Sequence, residues 1–275
     1  MSTDASNPKY TISDLLHIME RLRDPENGCP WDVDQTFETI APYTIEEAYE
    51  VDEAIRANDM QSLKDELGDL MFQAVFHAQM AREAGHFSFD DVVQGVSEKM
   101  VRRHPHVFGD ATVEDADAQT KAWERHKAKE RKEKAEAAGT VPSVLDGVTV
   151  GLPSLLRAIK LQNRAARVGF DWPQTEQVLD KLQEEANELL AEYRTQAPHP
   201  RLKEEFGDML FVMANLARHM KIDPEEALRG ANAKFERRFH RIEELLHSRG
   251  KSPEQSDLAE MDALWDQAKH EEKGS

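Results

Sequence analysis

A single cysteine, Cys29, is all the thiol chemistry in 275 residues. It cannot close an internal disulfide, and no Cys/His group has zinc spacing, so a disulfide scaffold and a structural zinc site are excluded and a reducing cytoplasm is the expected compartment. Long apolar runs are missing as well. Nowhere do about 18 uncharged apolar residues follow one another, and the opening "MSTDASNPKY" has neither a basic nor an apolar segment, which predicts no membrane insertion and no secretion. Positive charge is in deficit: 35 Lys and Arg stand against 53 Asp and Glu, a formal net charge of -18. Such a surface repels the backbone of a nucleic acid polymer. A small polyphosphate remains accessible, because a divalent cation held by clustered carboxylates reverses the local sign. Strand signals are scarce too: "TVPSVLDGVTVGLP" is the one β-branched, Gly/Pro-punctuated stretch of note, and it reads as a linker.

What is present is helix, written twice. "KDELGDLMF" occupies residues 64–72 and "KEEFGDMLF" residues 203–211. A glycine inside a helix costs about 1 kcal/mol relative to alanine, so two copies of this phrase imply a constraint beyond helix formation. Apolar residues fall at helical spacing in both: Leu63, Leu67, Leu70, Met71, Ala74, Val75 and Ala78, then Leu202, Phe206, Met209, Leu210, Met213 and Leu216. Each set predicts one broad buried stripe. Upstream of each lies another acidic phrase, "IEEAYEVDEAI" and "QEEANELLAEY". Downstream, Lys99, Arg102 and Arg103 parallel Lys234, Arg237 and Arg238, and Trp123 precedes Lys127 as Trp265 precedes Lys269. The expected fold is therefore all-α, with tandem helical-bundle modules at 1–150 (including a charged linker, "KAKERKEKAEAAGT") and 151–275. "CPWD" at 29–32 and "GFDW" at 169–172 are candidate matching entry loops.

Residues three or four apart share a helix face. Glu46, Glu47 and Glu50 therefore point together, as do Glu184, Glu185 and Glu188; so do Glu66 with Asp69, and Glu205 with Asp208. Short connections make the paired helices antiparallel neighbours, which brings about four carboxylates into one groove per module. Unpaired, they repel and must take up protons. A hard divalent cation resolves the conflict, and Mg²⁺ keeps coordination positions for phosphate oxygens. Gly68 and Gly207 would let the facing helix or a ligand approach closely. A solvated Glu-rich face explains one such phrase, but not a paired arrangement in duplicate. Trp123 and Trp265 suit core packing or base stacking equally, and His77 and His219 read as structural.

The order EExxE, some 15 residues, then ExxD resembles the MazG family of all-α nucleoside triphosphate pyrophosphohydrolases. "LRDPENGCPWD", "TIAPYTIEEAYEV", "ELGDLMFQAVFHA", "RRHPHVF", "RVGFDW", "FGDMLFVMANLARH" and "KFERRF" carry the resemblance across nearly the whole chain. It implies hydrolysis of nucleoside triphosphates to monophosphate and pyrophosphate, with Mg²⁺ or Mn²⁺ in its place, in a cytoplasmic homodimer. It further implies that Glu185, Glu188, Glu205 and Asp208 hold the metal, with Glu47, Glu50, Glu66 and Asp69 the N-terminal counterparts. Glu184, Glu185 and Glu205 would be the catalytic carboxylates, Glu184 a candidate base. Arg201, Glu204, Lys234, Arg238, Trp265 and Lys269 would meet the substrate. Similar proteins use a basic residue, usually Lys, where this chain has Arg201; the first copy has Ser62 there, which points to the C-terminal module as the catalytic one.

Two rival readings follow from the same residues. A di-iron carboxylate bundle needs two Glu-x-x-His pairs; Glu83/His86 and Glu244/His247 have that spacing, though Gly85 interrupts the first and the second lies far from the acidic quartets in a highly polar segment. The other is a non-enzymatic helical dimer whose acidic faces bind a partner protein.

Overall fold

The computed structural model describes residues 9–112 and 115–273. The first eight residues, where no signal segment is expected, lie outside that range. The described residues form helices and turns, with no strand among them. The chain divides into two compact units, Met1–Glu124 and Arg125–Ser275. That division falls earlier than the boundary expected near Gly151. Arg164 donates through Nη1 to the carbonyls of Val144 and Asp146, at 3.2 and 3.1 Å, so the end of the expected linker is tied to the helix that follows it.

The first unit contains α1 (Ile12–Leu22), α2 (Pro30–Asp34), α3 (Phe37–Arg56), α4 (Met60–Glu83), α5 (Phe89–Arg103) and α6 (Pro105–Phe108). The charged helix α7 (Ala116–Ala137) runs through the division and ends before Gly139, whose φ of +67° suits a glycine. In the second unit follow α8 (Ser154–Ala166), α9 (Thr175–Arg194), α10 (His199–His219), α11 (Pro224–Ser248), a 3-10 turn at Pro253–Gln255 and α12 (Leu258–Lys273).

Side-chain oxygens define where the long helices start. Thr36 accepts from the backbone of Thr39 at the head of α3, Asp59 from Gln61 and Ser62 at the head of α4, and Asp223 from Glu225 and Glu226 at the head of α11. The two acidic hairpins, α3/α4 and α9/α10, turn through the same device: Asn58 and Gln196 adopt φ of 53° and 54°, a left-handed step that reverses the chain within a few residues. Met19, Ile40, Val75, Phe76 and Met80 form the core of the first unit, drawn from α1, α3 and α4. Ile242, Leu246 and Leu264 form a core between α11 and α12 in the second.

The apolar stripes are buried only in part, against expectation. Val75 and Ala78 are buried, but Leu67 and Met71 lie on the surface, as do Phe206, Leu210 and Met213 in the second copy. Within one chain, α4 and α10 each carry more apolar surface than their neighbours cover, so part of it faces outward.

Candidate metal centre and its duplicate

Helix α9 carries Glu184, Glu185 and Glu188; α10 carries Glu204, Glu205 and Asp208. Carboxylate oxygens of Glu185, Glu205 and Asp208 come within 4.8 Å of one another. Glu185 and Glu205 are buried, at 5% and 3% exposure, while Asp208 opens to solvent. Burial raises the Glu205 pKa above its ordinary value; Arg201 opposes the shift, and the negative charges of Glu188, Glu185 and Asp208 reinforce it. The fourth carboxylate, Glu188, is thus near enough to be felt.

Two cations of the chain itself engage this cluster. Lys181 Nζ lies 2.8 Å from both Glu184 Oε1 and Glu185 Oε1, and its pKa is raised chiefly by the hydrogen bonds to these two residues. Arg201 reaches Glu204 at 2.9 Å and Glu192 at 3.2 Å, and also pairs with Glu205. Arg201 was expected near the substrate. Lys181 was not foreseen, although its place one turn before Glu185 is the ordinary i,i+4 signature of a helical ion pair.

The first unit repeats the carboxylates without those cations. Glu47, Glu66 and Asp69 again bring ligand oxygens within 4.8 Å. Burial raises the pKa of Glu47, helped by Asp69 and Glu50; Glu66 is raised by burial and then by Glu50 and Asp69. Tyr43 stands where the second copy has Lys181, and Ser62 where it has Arg201. Ser62 is used locally: its hydroxyl donates to Asp59 Oδ2 at 2.9 Å, inside the N-terminal turn of α4.

Both clusters consist of oxygen donors alone, brought close enough to disfavour full ionisation. That chemistry fits a hard divalent ion and not a thiophilic one. Glu46 and Glu184, on the neighbouring exposed faces, stand outside the converging trios.

The basic residues form a separate group. Arg238 on α11 is bonded through Nε to Glu272 Oε2 at 2.8 Å, and its guanidinium lies 5.3 Å from the centroid of the Trp265 ring. Trp265 packs against the α11/α12 core and lies 5.6 Å from Phe235. Lys234 is exposed one turn before Arg238, and Lys269 is half-buried with Asp266 at 3.7 Å. The first unit has the same pairing: the Arg103 guanidinium sits 5.7 Å from the Trp123 ring. Helix α11 packs on α12 and α8, whereas the carboxylates sit between α9 and α10. The expected site residues therefore fall into an acidic cluster and a basic hairpin within the second unit.

Three further expectations meet the structure here. A Cβ on Gly68 or Gly207 would meet nothing within 4 Å among the described residues, so close approach of the facing helix is not what keeps these glycines. His77 and His219, read as structural, each have a side-chain partner: His77 Nε2 is 3.0 Å from Thr44 Oγ1, and His219 Nε2 is 3.1 Å from Asp171 Oδ1. The "CPWD" and "GFDW" segments differ in their contacts, Asp32 offering its carbonyl to Arg23 and Asp171 its carboxylate to Arg218 and His219. The di-iron pairs are otherwise engaged, with Glu83 2.7 Å from Arg23 and Glu244 2.8 Å from Arg241.

A family model described as "MazG nucleotide pyrophosphohydrolase domain" matches the chain twice, over residues 35–108 and 174–242. These two matches contain the two carboxylate clusters. Among curated relatives, the nucleoside triphosphate pyrophosphohydrolase of Escherichia coli strain K12 is 49% identical over 262 residues, covering 95% of this chain and 98% of the relative. The Thermotoga maritima nucleoside triphosphate pyrophosphohydrolase/pyrophosphatase MazG is 44% identical over 260 residues, 94% of this chain and 95% of its own length. The Bacillus subtilis protein YabN is 45% identical over 267 residues, which are 97% of this chain but 53% of that protein.

Proposed function

We propose that this chain, which belongs to the MazG nucleotide pyrophosphohydrolase family, hydrolyses nucleoside triphosphates to nucleoside monophosphate and pyrophosphate in the cytoplasm, as a means of nucleotide-pool control. The observation that carries this reading is the pair of oxygen-only carboxylate clusters, each inside a family-matched segment. The catalytic module is proposed to begin near Gly151, since every carboxylate of the second cluster lies beyond it.

Glu185, Glu188, Glu205 and Asp208 would hold Mg²⁺, or Mn²⁺ in its place, with Glu47, Glu50, Glu66 and Asp69 as the counterpart set. Once bound, the ion would neutralise phosphate charge and polarise the phosphoryl group. The rest of the work falls to this chain's own side chains. Lys181 and Arg201, whose partners are the carboxylates of the cluster, are placed to exchange them for phosphate oxygens. Lys234, Arg238 and Lys269 supply further positive charge for the triphosphate, with Glu204 alongside and Trp265 behind Arg238. Glu184, outside the converging trio, takes a proton from the water that adds across the bridge between the α and β phosphates.

The chain is proposed to act as a homodimer. Phe206, Leu210 and Met213 are exposed on the same helix as Gly207, where a Cβ would meet nothing within 4 Å among the described residues. A second copy would cover such a face.

The test is a panel of nucleoside triphosphates incubated with Mg²⁺ or with EDTA and scored for monophosphate and pyrophosphate. Metal-dependent release of both products is expected. Release of orthophosphate alone, or no turnover beside capture of a protein partner, would overturn the reading.

A further inference from the structure

Helix α4 carries a buried polar side chain that the proposed chemistry does not use. Gln73 is 8% exposed and lies one turn beyond Asp69, on the helix face shared by Glu66 and Asp69. Its amide is hydrogen-bonded to the Glu47 carboxylate, and the bond favours the ionised form of Glu47. Only the NH₂ end of an amide donates to a carboxylate, so Nε2 is the atom engaged. The other end, Oε1, is buried and has no hydrogen-bond partner among the described residues. A buried acceptor is costly to leave in that state, and a proton donor or a cation relieves it.

The surroundings favour the cation. The amide adjoins a cluster in which Glu47, Glu66 and Asp69 bring carboxylate oxygens within 4.8 Å of one another, with Glu50 near enough to act on both glutamates. A neutral carbonyl beside these carboxylates enlarges an all-oxygen donor set without adding charge. Mg²⁺ makes poor use of such a set, because it demands octahedral geometry and gives up its waters reluctantly. Ca²⁺ takes about 6–8 oxygens in flexible geometry, Gln carbonyls among them. We infer that Gln73 Oε1 is a ligand in the N-terminal cluster, and that it makes the cluster a resident site for a cation larger than Mg²⁺, of the Ca²⁺ class, tying α3 to α4.

The duplicated module supplies the comparison. In the register that aligns Glu66 with Glu205 and Asp69 with Asp208, Gln73 corresponds to Val212, which is buried. The second cluster thus has an apolar residue at that place, and it has Lys181 and Arg201, cations that phosphate oxygens can draw away. One turn further on, the polarity is exchanged. Phe76, 1% exposed in the core of the first unit, corresponds to Asn215, which lines a cavity of about 280 Å³ between α8 and α10. The amide meets the carboxylates in the first module; in the second, Asn215 accepts from Arg218 Nε at 2.8 Å. One cluster is equipped to keep an ion, the other to trade partners.

The inference rests on the reading of Glu47, Glu50, Glu66 and Asp69 as a metal set, and its test keeps the two apart. The full-length chain carrying Glu205→Ala and Asp208→Ala, which silences the second cluster, is stripped of metal and titrated calorimetrically with CaCl₂ and with MgCl₂. The titrations are repeated with Gln73→Met added, which keeps the length of the side chain and removes the oxygen, and with Gln73→Glu, which restores an oxygen. Ca²⁺ should bind more tightly than Mg²⁺, about 10-fold more weakly once Gln73→Met is present, and without loss in Gln73→Glu. Melting curves with and without Ca²⁺ read the same contrast and show that each variant folds. Ca²⁺ affinity unmoved by Gln73→Met, or Mg²⁺ bound as tightly as Ca²⁺ before that change, would overturn the role of Gln73 and leave the metal set standing. No binding of either ion would overturn both. Triphosphate turnover of the wild type is measured alongside: its absence, with Ca²⁺ binding that depends on Gln73, would overturn the hydrolase and leave this site.

Discussion

Lys181 Nζ sits 2.8 Å from the buried carboxylate of Glu185, one helical turn away, in a position that the duplicate fills with Tyr43. Together with Arg201, it gives the C-terminal cluster an internal counter-charge that the N-terminal cluster lacks. In the absence of metal, ion pairs with Lys181 and Arg201 offset the mutual repulsion of the second cluster, whereas in the first, burial and neighbouring carboxylates raise the pKa values of Glu47 and Glu66.

Replacing Lys181 with Met should therefore destabilise the metal-free protein by about 1–3 kcal/mol, because Glu185 is left buried beside like charges with a partner removed. Added Mg²⁺ should recover most of the loss. Melting curves in EDTA and in Mg²⁺ check this; an equal loss under both conditions would mean that Lys181 acts only through packing.

Glu205→Ala with Asp208→Ala should lower triphosphate turnover about 1,000-fold while the helix content stays unchanged, since the lost interaction is several kcal/mol of charge stabilisation. Glu66→Ala with Asp69→Ala should leave turnover within a few-fold. Steady-state kinetics on both double variants decide between one working module and two.

Loss of Lys234 or Arg238 should cost about 10-fold to 100-fold in kcat/KM, equivalent to about 1.4–2.7 kcal/mol. Arg238 differs from Lys234 in being tied to Glu272 at 2.8 Å. Glu272→Gln should free it and lower KM, whereas wild-type kinetics in all three variants would return this hairpin to a purely structural role.

Gly207→Ala adds a methyl where nothing among the described residues lies within 4 Å. Helix propensity alone predicts a gain of about 1 kcal/mol in a monomer. If a second copy packs there, the substitution should instead weaken the dimer, read by sedimentation at falling protein concentration.

The pH dependence has a definite sign. Glu205 has its pKa raised above the ordinary 4.5 by burial, with neighbouring carboxylates adding to the shift. The native state then binds this proton more tightly than the unfolded state, so the contribution of Glu205 to stability falls as pH rises through the window above 4.5. Without metal, the melting temperature difference between wild type and Glu205→Gln should grow as the pH rises above 4.5, in favour of the glutamine variant. With Mg²⁺ present, the order should reverse.

Much of this was legible in the sequence, and the reason is periodicity. Glu185, Glu188, Glu205 and Asp208 fall at intervals that only a helix places on one face, and the second copy ruled out coincidence. Contacts that join distant residues left no such trace. The Arg238–Glu272 and Arg164–Val144 links depend on how separate segments fold against one another, so neither the latch on the basic hairpin nor the tie between the linker and α8 was readable. Lys181 had a local signal, but a lone Lys in a Glu-rich helix looks like any solvated ion pair until Glu185 proves buried. Of the two neighbours expected at Gly68 and Gly207, the facing helix does not come near enough to need a glycine, because sequence reveals that a side chain is missing, not what would have met it.

The cavity between α8 and α10 also bears on how the molecule loosens. Its walls have forfeited the packing that Phe76 supplies in the other module, and the best-buried apolar cluster of the second unit lies off in the α11/α12 hairpin. Amide protons on the cavity side of α10 should therefore exchange with deuterium earlier than those of α4 around Phe76, through local openings that leave α11 and α12 closed. The repeat would then have divided rigidity unevenly: one copy keeps a filled interior and holds its shape, and the other opens first along an unfilled one.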